Sequence, residues 1–371
     1  LARFGSEQRI DRIAYIWFNR FCALRFMDVH NYNRVKVVSP ADPGQFQPEI
    51  LSEAKMGHID ENMIDASVRQ RVFSLLDGKA ASIDPQSAAY RLLVVAVCNY
   101  WSKSMPFLFQ RIDDYTELLM PDDLLSGNSI LAYTREAMTP KLCGAVNKNS
   151  GGVEIIGWLY QFYISEKKDE VFEGLRKNKK ITPENIPAAT QLFTPHWIVR
   201  YLVENSLGRL WMLNRPDSKL VEQMEYYVEV ASGQWPVASG LGEVASGLGE
   251  VASGSGNGSG VGSGEVASGD GGGDFLRISS PEELKICDPA CGSGHMLTYA
   301  FDLLYSIYEE EGYNPAEIPE KILTHNLDGI EIDERAGELA AFALTMKARA
   351  KQRRFFSKGI IPNICVLQNI E

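Results

Sequence analysis

The sequence contains no Pro-Pro dipeptide, no Cys-x-x-Cys pair and no long apolar run. The longest apolar stretch, around Leu92 to Val97, falls far short of the ~20 residues a membrane helix needs and reads as core. The six cysteines are Cys22, Cys98, Cys143, Cys287, Cys291 and Cys365. The nearest two, Cys287 and Cys291, have no histidine at ligand spacing, which argues against a structural zinc site. Buried or backbone-contacting thiols in a reducing cytoplasm are the expectation. No secretory leader opens the chain, which starts at Leu1 rather than Met; a sequence truncated at both ends is expected. Positive charge is in deficit, with a net charge of -11. That weighs against nonspecific nucleic-acid binding by the whole surface and leaves room for a local basic groove.

What is present suffices for two ordinary domains in 371 residues. Residues 1–150 read as a helical domain. In "RIDRIAYIWFNRFCAL", Ile10, Ile13, Ala14, Trp17, Phe21 and Leu24 recur at helical spacing. "ENMIDASVRQRVFSLLDG" repeats the pattern and stops at a glycine, and "SAAYRLLVVAVCNYW" is apolar nearly all round, as a central helix would be. Residues 151–229 form a helical lead-in. It holds "EIIGWLYQFYISEKKDEVF", the basic run "RKNKK" (a solvated loop) and "QLFTPHWIVRYLVENSLGRLW". There Thr194 is expected to cap a helix with Pro195 at its first position, and Ile198, Val199, Leu202, Val203, Leu210 and Trp211 mark its buried side. In residues 230–273 "VASG" recurs every seven residues from Val230, too rich in Gly and Ser to pack. It reads as an inert inserted loop with a random-coil span of about 35–40 Å. Residues 274–371 alternate strand and helix: "LKIC", "HMLTYAFDLLYSIYEEE", "LDGIEID", "ERAGELAAFALTMKARAKQRR" and "IPNICVL". That is β-α-β-α-β, the first half of a doubly wound parallel sheet.

Between the first strand and its helix lies "DPACGSGH", residues 288–295. No lysine follows Gly294, as a Walker A loop requires, and Leu297 stands where the dinucleotide fingerprint has its third glycine. A D-P-x-x-G-x-G turn remains. The helix start favours a negative group, Asp288 can balance a positive one, and Glu331 at the end of the second strand is placed for ribose hydroxyls. A ligand with a ribose and both charge signs points to an amino-acid nucleoside. S-adenosylmethionine fits better than NAD or FAD.

"DPACGSGH", together with "FTPHWIVRYL" upstream and "GIEIDERAGELAAFAL" downstream, resembles the gamma-type adenine-N6 DNA methyltransferases. The longer pattern, from "GWLYQFYISEKKDEVF" through these three stretches, resembles the PglX family of BREX phage-defence systems over roughly 155–371 apart from the repeat loop. The resemblance implies a Rossmann-like class I S-adenosylmethionine-dependent methyltransferase sheet, of which the first half is present, after a mainly α-helical N-terminal domain. It implies that Thr194 and Pro195 line the methionine end of the cofactor. Asp288, Pro289 and the backbone of Ala290, Cys291, Gly292, Ser293 and Gly294 would hold its amino and carboxylate groups. Glu331 would bind the ribose, and Ile332 would lie against the adenine. The implied partners are double-stranded DNA with a flipped adenine and other defence-system proteins, with no membrane. Asp333 reads as a helix cap, and His295 and His196 as helix-turn residues.

In such enzymes an [N/D]-P-P-[Y/F] motif orients the amine and stacks the flipped base. The missing Pro-Pro dipeptide means that no catalytic residue can be named here. The acidic contact of the third motif is replaced by Gln368 or Asn369 in "CVLQNIE". "KARAKQRRFFSKG", beside its two phenylalanines, reads as a solvated helix end with phosphate contact as the alternative. Two further readings share these residues. One is a modification subunit of a Type I or fused restriction–modification system, and the other is a cofactor-binding scaffold without chemistry.

Overall fold

The computed structural model describes residues 6–42, 44–112, 119–146, 152–182, 185–192, 194–229 and 275–367. The repeat segment, Gln368 and Asn369 lie outside them. The N-terminal helices are α1 (Ser6–Val29), α2 (Glu49–Lys55), α3 (Ala66–Leu76), α4 (Pro85–Trp101) and α5 (Ile130–Ala137). α6 (Glu154–Arg176), the short α7 (Ile186–Thr190), α8 (His196–Val203) and α9 (Arg209–Asn214) follow. As its all-apolar pattern foretells, α4 lies in the core, with Leu93, Val94, Val97 and Cys98 fully buried. Asp84 caps it by accepting from the Gln86 and Ser87 amides. In α1, Ile13, Trp17, Phe21 and Leu24 are buried as their spacing predicts, but Ile10 and Ala14 face outward. Tyr15, Asn19 and Arg20 take the inward positions instead, because neighbouring helices cover a second side of α1. Cys22, Cys98, Cys143 and Cys291 are buried, whereas Cys287 and Cys365 are exposed, contrary to the expectation for thiols in a core. The reason is their place at outward-facing positions of short strands.

The C-terminal part is a parallel sheet of β1 (Ile286–Asp288), β2 (Leu327–Glu331) and β3 (Asn363–Val366), in that spatial order. α10 (His295–Glu310) and the short α11 (Ile318–Lys321) connect β1 to β2, and α12 (Glu334–Lys351) connects β2 to β3. This is the strand–helix alternation read from the sequence. The described apolar core forms two clusters, one built on α1–α6 and one on α8–α10 and the sheet. α12 contributes to both: Leu339, Phe342 and Met346 join the first, while Ala340, Leu344 and Ala348 join the second. Among the described residues no helix is long and apolar enough to cross a membrane.

Where α12 meets α1, burial and then the charge of Glu334 push the Glu338 carboxyl up to about 8, with Arg20 and Arg12 opposing. The folded protein therefore holds this proton more tightly than the unfolded chain does. The resulting stabilisation is complete below the ordinary glutamate range near 4.5 and is lost as pH rises through about 8. The expected slope is up to about 1.4 kcal/mol per pH unit in that window. Glu338→Gln should flatten it and make the variant more stable than wild type at pH 8.5. Urea midpoints at pH 5.5 and 8.5 check this; parallel wild-type and variant profiles would refute it.

Candidate cofactor site at the glycine turn

β1 ends at Asp288, and the chain turns through Gly292 (φ +54°) and Gly294 (φ +85°) before α10 begins at His295. A Cβ on Gly294 would stand 3.0 Å from the Ala340 Cβ and 3.1 Å from its Cα. Besides its left-handed φ, this position therefore needs glycine to let the turn lie against α12. The turn is tied down by its own amides. Ala290 N donates to Asp288 Oδ1 at 3.1 Å, Cys291 N to Ile330 O at 3.0 Å and Gly294 N to Cys291 O at 2.8 Å. Gly292 N donates to Glu331 Oε2 at 2.6 Å.

Glu331, 7% exposed at the end of β2, also accepts the Ile332 and Asp333 amides on Oε1, each at 3.0 Å. One carboxylate thus joins the glycine turn to the start of α12. A carboxylate has about four lone-pair sites, so one acceptor position is left. Asp333 caps α12 through the Arg335 amide, as its place before "ERAGEL" suggests. It also accepts the Tyr160 hydroxyl of α6, a contact the sequence did not announce.

Thr194 does not cap the next helix. α8 starts at His196, and Pro195 (φ -53°, ψ 142°) occupies the cap position with no side-chain hydrogen bond. The proline's extended ψ keeps it outside the helix and moves Thr194 one residue too far out. Thr194 instead lines a cleft of about 610 Å³ with Leu202, Asp288, Pro289, Ala290 and Met296. This cleft runs along the edge of β1 away from β2, beside Ile286 and Cys287. α8 passes into a π-helical turn, Glu204–Gly208, before α9. Leu202 is 45% exposed at the cleft, with Ile198 and Leu210 only half-buried, while Val199, Val203 and Trp211 are buried. Glu204, fully buried in that turn, accepts the Tyr299 hydroxyl and the Tyr226 amide, each at 2.5 Å. These bonds fix α8 against α10.

The predicted residues therefore fall into three groups. Thr194, Asp288, Pro289 and Ala290 line the cleft. Cys291, Gly292, Ser293, Gly294 and Glu331 form the hydrogen-bonded turn, with Cys291 and Ser293 buried. Ile332, 45% exposed, and Pro195 lie outside the cleft. Burial pushes the Asp288 carboxyl up, with the Ala290 amide opposing. Burial, then Glu331 and Asp288, push the Cys291 thiol up to about 12, which keeps it protonated.

Sequence reasoning missed the second layer. α6 lies against the turn at Gly157, where a Cβ would meet Ser293 Oγ at 2.4 Å and His295 Cε1 at 3.1 Å. Burial lowers the His295 pKa, and Glu154 opposes that shift. Burial works to raise the Glu154 carboxyl, but Lys347 and neighbouring groups prevail and hold it below its usual range. Lys347 lies 3.5 Å from Glu154 and 2.7 Å from Asp302, so α6, α10 and α12 share one ion-pair cluster. A lone glycine inside an apolar helical run was the available signal.

The family described as MmeI, DNA-methyltransferase domain, matches residues 277–361. The adenine-specific methyltransferase BrxX of Escherichia coli O9:H4 (strain HS) is 40% identical over 367 residues, 98% of this chain and 26% of that protein. The chain is homologous to the adenine-specific methyltransferases BrxX and PglX. PglX of Lacticaseibacillus casei (strain Zhang) is 35% identical over 363 residues, 96% of this chain and 27% of that protein. The chain thus spans about a quarter of the length of the curated relatives it matches. The helical N-terminal region, for which the sequence offered no chemistry, is homologous as well, since the match covers nearly the whole chain.

Proposed function

We propose that this chain is the S-adenosylmethionine-binding part of a site-specific DNA adenine-N6 methyltransferase of a BREX phage-defence system. The observation carrying the proposal is the Glu331–Gly292 bond, which joins the D-P-x-x-G-x-G turn to the acidic end of the adjacent parallel strand. It occurs in a chain homologous to adenine-specific methyltransferases. The sheet is then the first half of a Rossmann-like class I methyltransferase sheet, and the protein works in the cytoplasm.

The residues fit the cofactor's chemistry. The half-buried Asp288 accepts one amide and has acceptor capacity to spare, suiting a cationic amino group. The start of α10 has no side-chain cap, so its first amides suit a carboxylate. Four of the turn's amides are already used within the protein, which shifts the carboxylate's partners from the turn itself to that helix start. Glu331 keeps one acceptor position for a ribose hydroxyl, and the exposed Ile332 gives the adenine an apolar face. Thr194 and Pro195 are assigned to the methionine end. When bound, S-adenosylmethionine supplies an electrophilic methyl group on its sulfonium.

With no N-P-P-Y-type tetrapeptide in these 371 residues, we assign acceptor handling to sequence outside them. The substrate would be duplex DNA with the target adenine flipped out, and the partners other proteins of the defence system. Calorimetry should therefore detect S-adenosylmethionine binding to the 371-residue chain, while a tritium-transfer assay on adenine-containing duplex DNA should detect no turnover. Absence of binding would remove the cofactor assignment. Turnover by this chain would overturn the placement of the acceptor half.

A further inference from the structure

The basic segment at the end of α12 is not an isolated solvated tail. Arg349, Arg353 and Arg354 face Arg34 and Lys36, from the segment after α1, across an open cleft of about 900 Å³. Among the described residues, these five cations meet a single lining carboxylate, Glu49, in a protein of net charge -11. Glu49 is occupied by the Lys36 amide at 3.0 Å, Arg34 lies 3.4 Å from Asp60, and Lys36 Nζ donates to Ala41 O at 2.9 Å. Arg349, Arg353 and Arg354 have no carboxylate within ion-pair distance among the described residues. The Arg349 guanidinium lies over the Tyr32 ring at 4.6 Å and the Phe356 ring at 5.4 Å, and its buried Nε has no hydrogen-bond partner among the described residues.

The rim is held in place. Phe355 is 1% exposed in the sheet-side core, and Phe356 packs edge-on to Trp101 at 4.9 Å. The two phenylalanines are thus anchors for the arginines rather than platforms for bases. The other basic run behaves differently: Lys177 pairs with Glu173 at 2.6 Å, and Glu170 lines the same hollow.

Cations gathered from two distant parts of an acidic chain repel one another, an arrangement that an anionic ligand relieves. We propose that this cleft binds the phosphate backbone of duplex DNA, a contact separate from the cofactor turn. The choice of DNA over another polyanion rests on the methyltransferase reading. The cleft is open, and its arginines extend from the last turn of α12 into the following loop, which suits a ladder of phosphates better than one compact group. Gly294 packs against Ala340, nine residues before Arg349 on α12, which places the start of the cleft about 14 Å along the helix from the glycine turn, roughly four base pairs of duplex.

The test is fluorescence anisotropy of a 30-base-pair duplex with the 371-residue chain over a range of salt concentrations. Arg353→Ala/Arg354→Ala should bind at least fivefold more weakly at low salt, and its log-affinity against log-salt slope should shrink by about 1.8, for two phosphate contacts. Lys177→Ala/Lys179→Ala should match wild type. Both arginines are exposed, and circular dichroism checks that the variant is folded. Equal binding by wild type and the arginine variant, or no binding by wild type, overturns the proposal. So does inorganic triphosphate binding the cleft more tightly than the duplex at equal salt, which would identify a compact polyphosphate site. S-adenosylmethionine calorimetry on the same samples separates the two ideas. A folded arginine variant that keeps cofactor affinity but not DNA affinity supports the cleft. Loss of the cofactor reading with the cleft effect intact leaves a DNA site without the methyltransferase assignment.

Discussion

Glu331→Ala is expected to abolish measurable S-adenosylmethionine binding and to destabilise the fold by about 2–4 kcal/mol. The second effect follows from hydrogen bonds already described. The carboxylate receives the amides of Gly292, Ile332 and Asp333, the last of them buried. A buried donor left unpaired costs about 1–3 kcal/mol, and the partly buried Gly292 and Ile332 amides recover some of their loss from water. The first effect combines loss of the ribose acceptor with release of the turn from β2. Glu331→Gln separates them. It keeps an acceptor oxygen and the side chain's volume but turns an NH₂ toward amide donors, so its melting temperature should fall less while its cofactor affinity still drops. Calorimetry and thermal melts on the three proteins check this. Unchanged affinity in a folded Glu331→Ala protein would take Glu331 out of the site.

Gly157→Val should be nearly as damaging, although Gly157 lies outside the glycine turn. Its added Cβ would enter the space of the buried Ser293, whose Oγ lies 3.5 Å from His295 Nδ1. A short, enclosed side chain cannot swing aside, so either α6 or the glycine turn must move. Overpacking of this kind costs about 1–3 kcal/mol, and the branched side chain adds to it. Gly208→Ala is the comparison. There the intruding Cβ meets the Met224 sulfur at 2.4 Å, and methionine adapts. Thermal melts should rank Gly157→Val well below Gly208→Ala; the opposite order would mean that α6 and the turn are not packed as described.

The strand–helix alternation was legible because each β-α unit carries its own punctuation. Gly292 and Gly294 end one strand, and Asp333 caps the helix after the next. The helix α10 itself was legible for the same local reason, and Ala300, Leu304 and Ile307 are buried on it at helical spacing. The reading failed where burial depends on contacts between distant segments. Ala14 faces out and Tyr15 in because α6 brings Tyr160 to within 5.3 Å of the Tyr15 ring. Leu202 reaches the cleft because the packing of α8 buries the neighbouring Val199 and Val203 face instead. At the site, residue types pointed to the turn and to Glu331. They could not reveal that the Glu331 carboxylate is mostly taken up by backbone amides, since amides are the same in every sequence. Nor could they show that Tyr160 meets Asp333, a pairing across 173 positions.

The shared helix α12 also sets a schedule for synthesis. The apolar surfaces of α1–α6 are completed by Leu339, Phe342 and Met346, yet 157 residues separate Arg176 at the end of α6 from Glu334 at the start of α12. At a translation rate of about 5–20 residues per second, that surface waits roughly 8–30 s for its covering helix. The nascent chain is open to chaperones and to misassociation throughout the delay. Each seven-residue unit gained near Val230 prolongs it, and each unit lost shortens it.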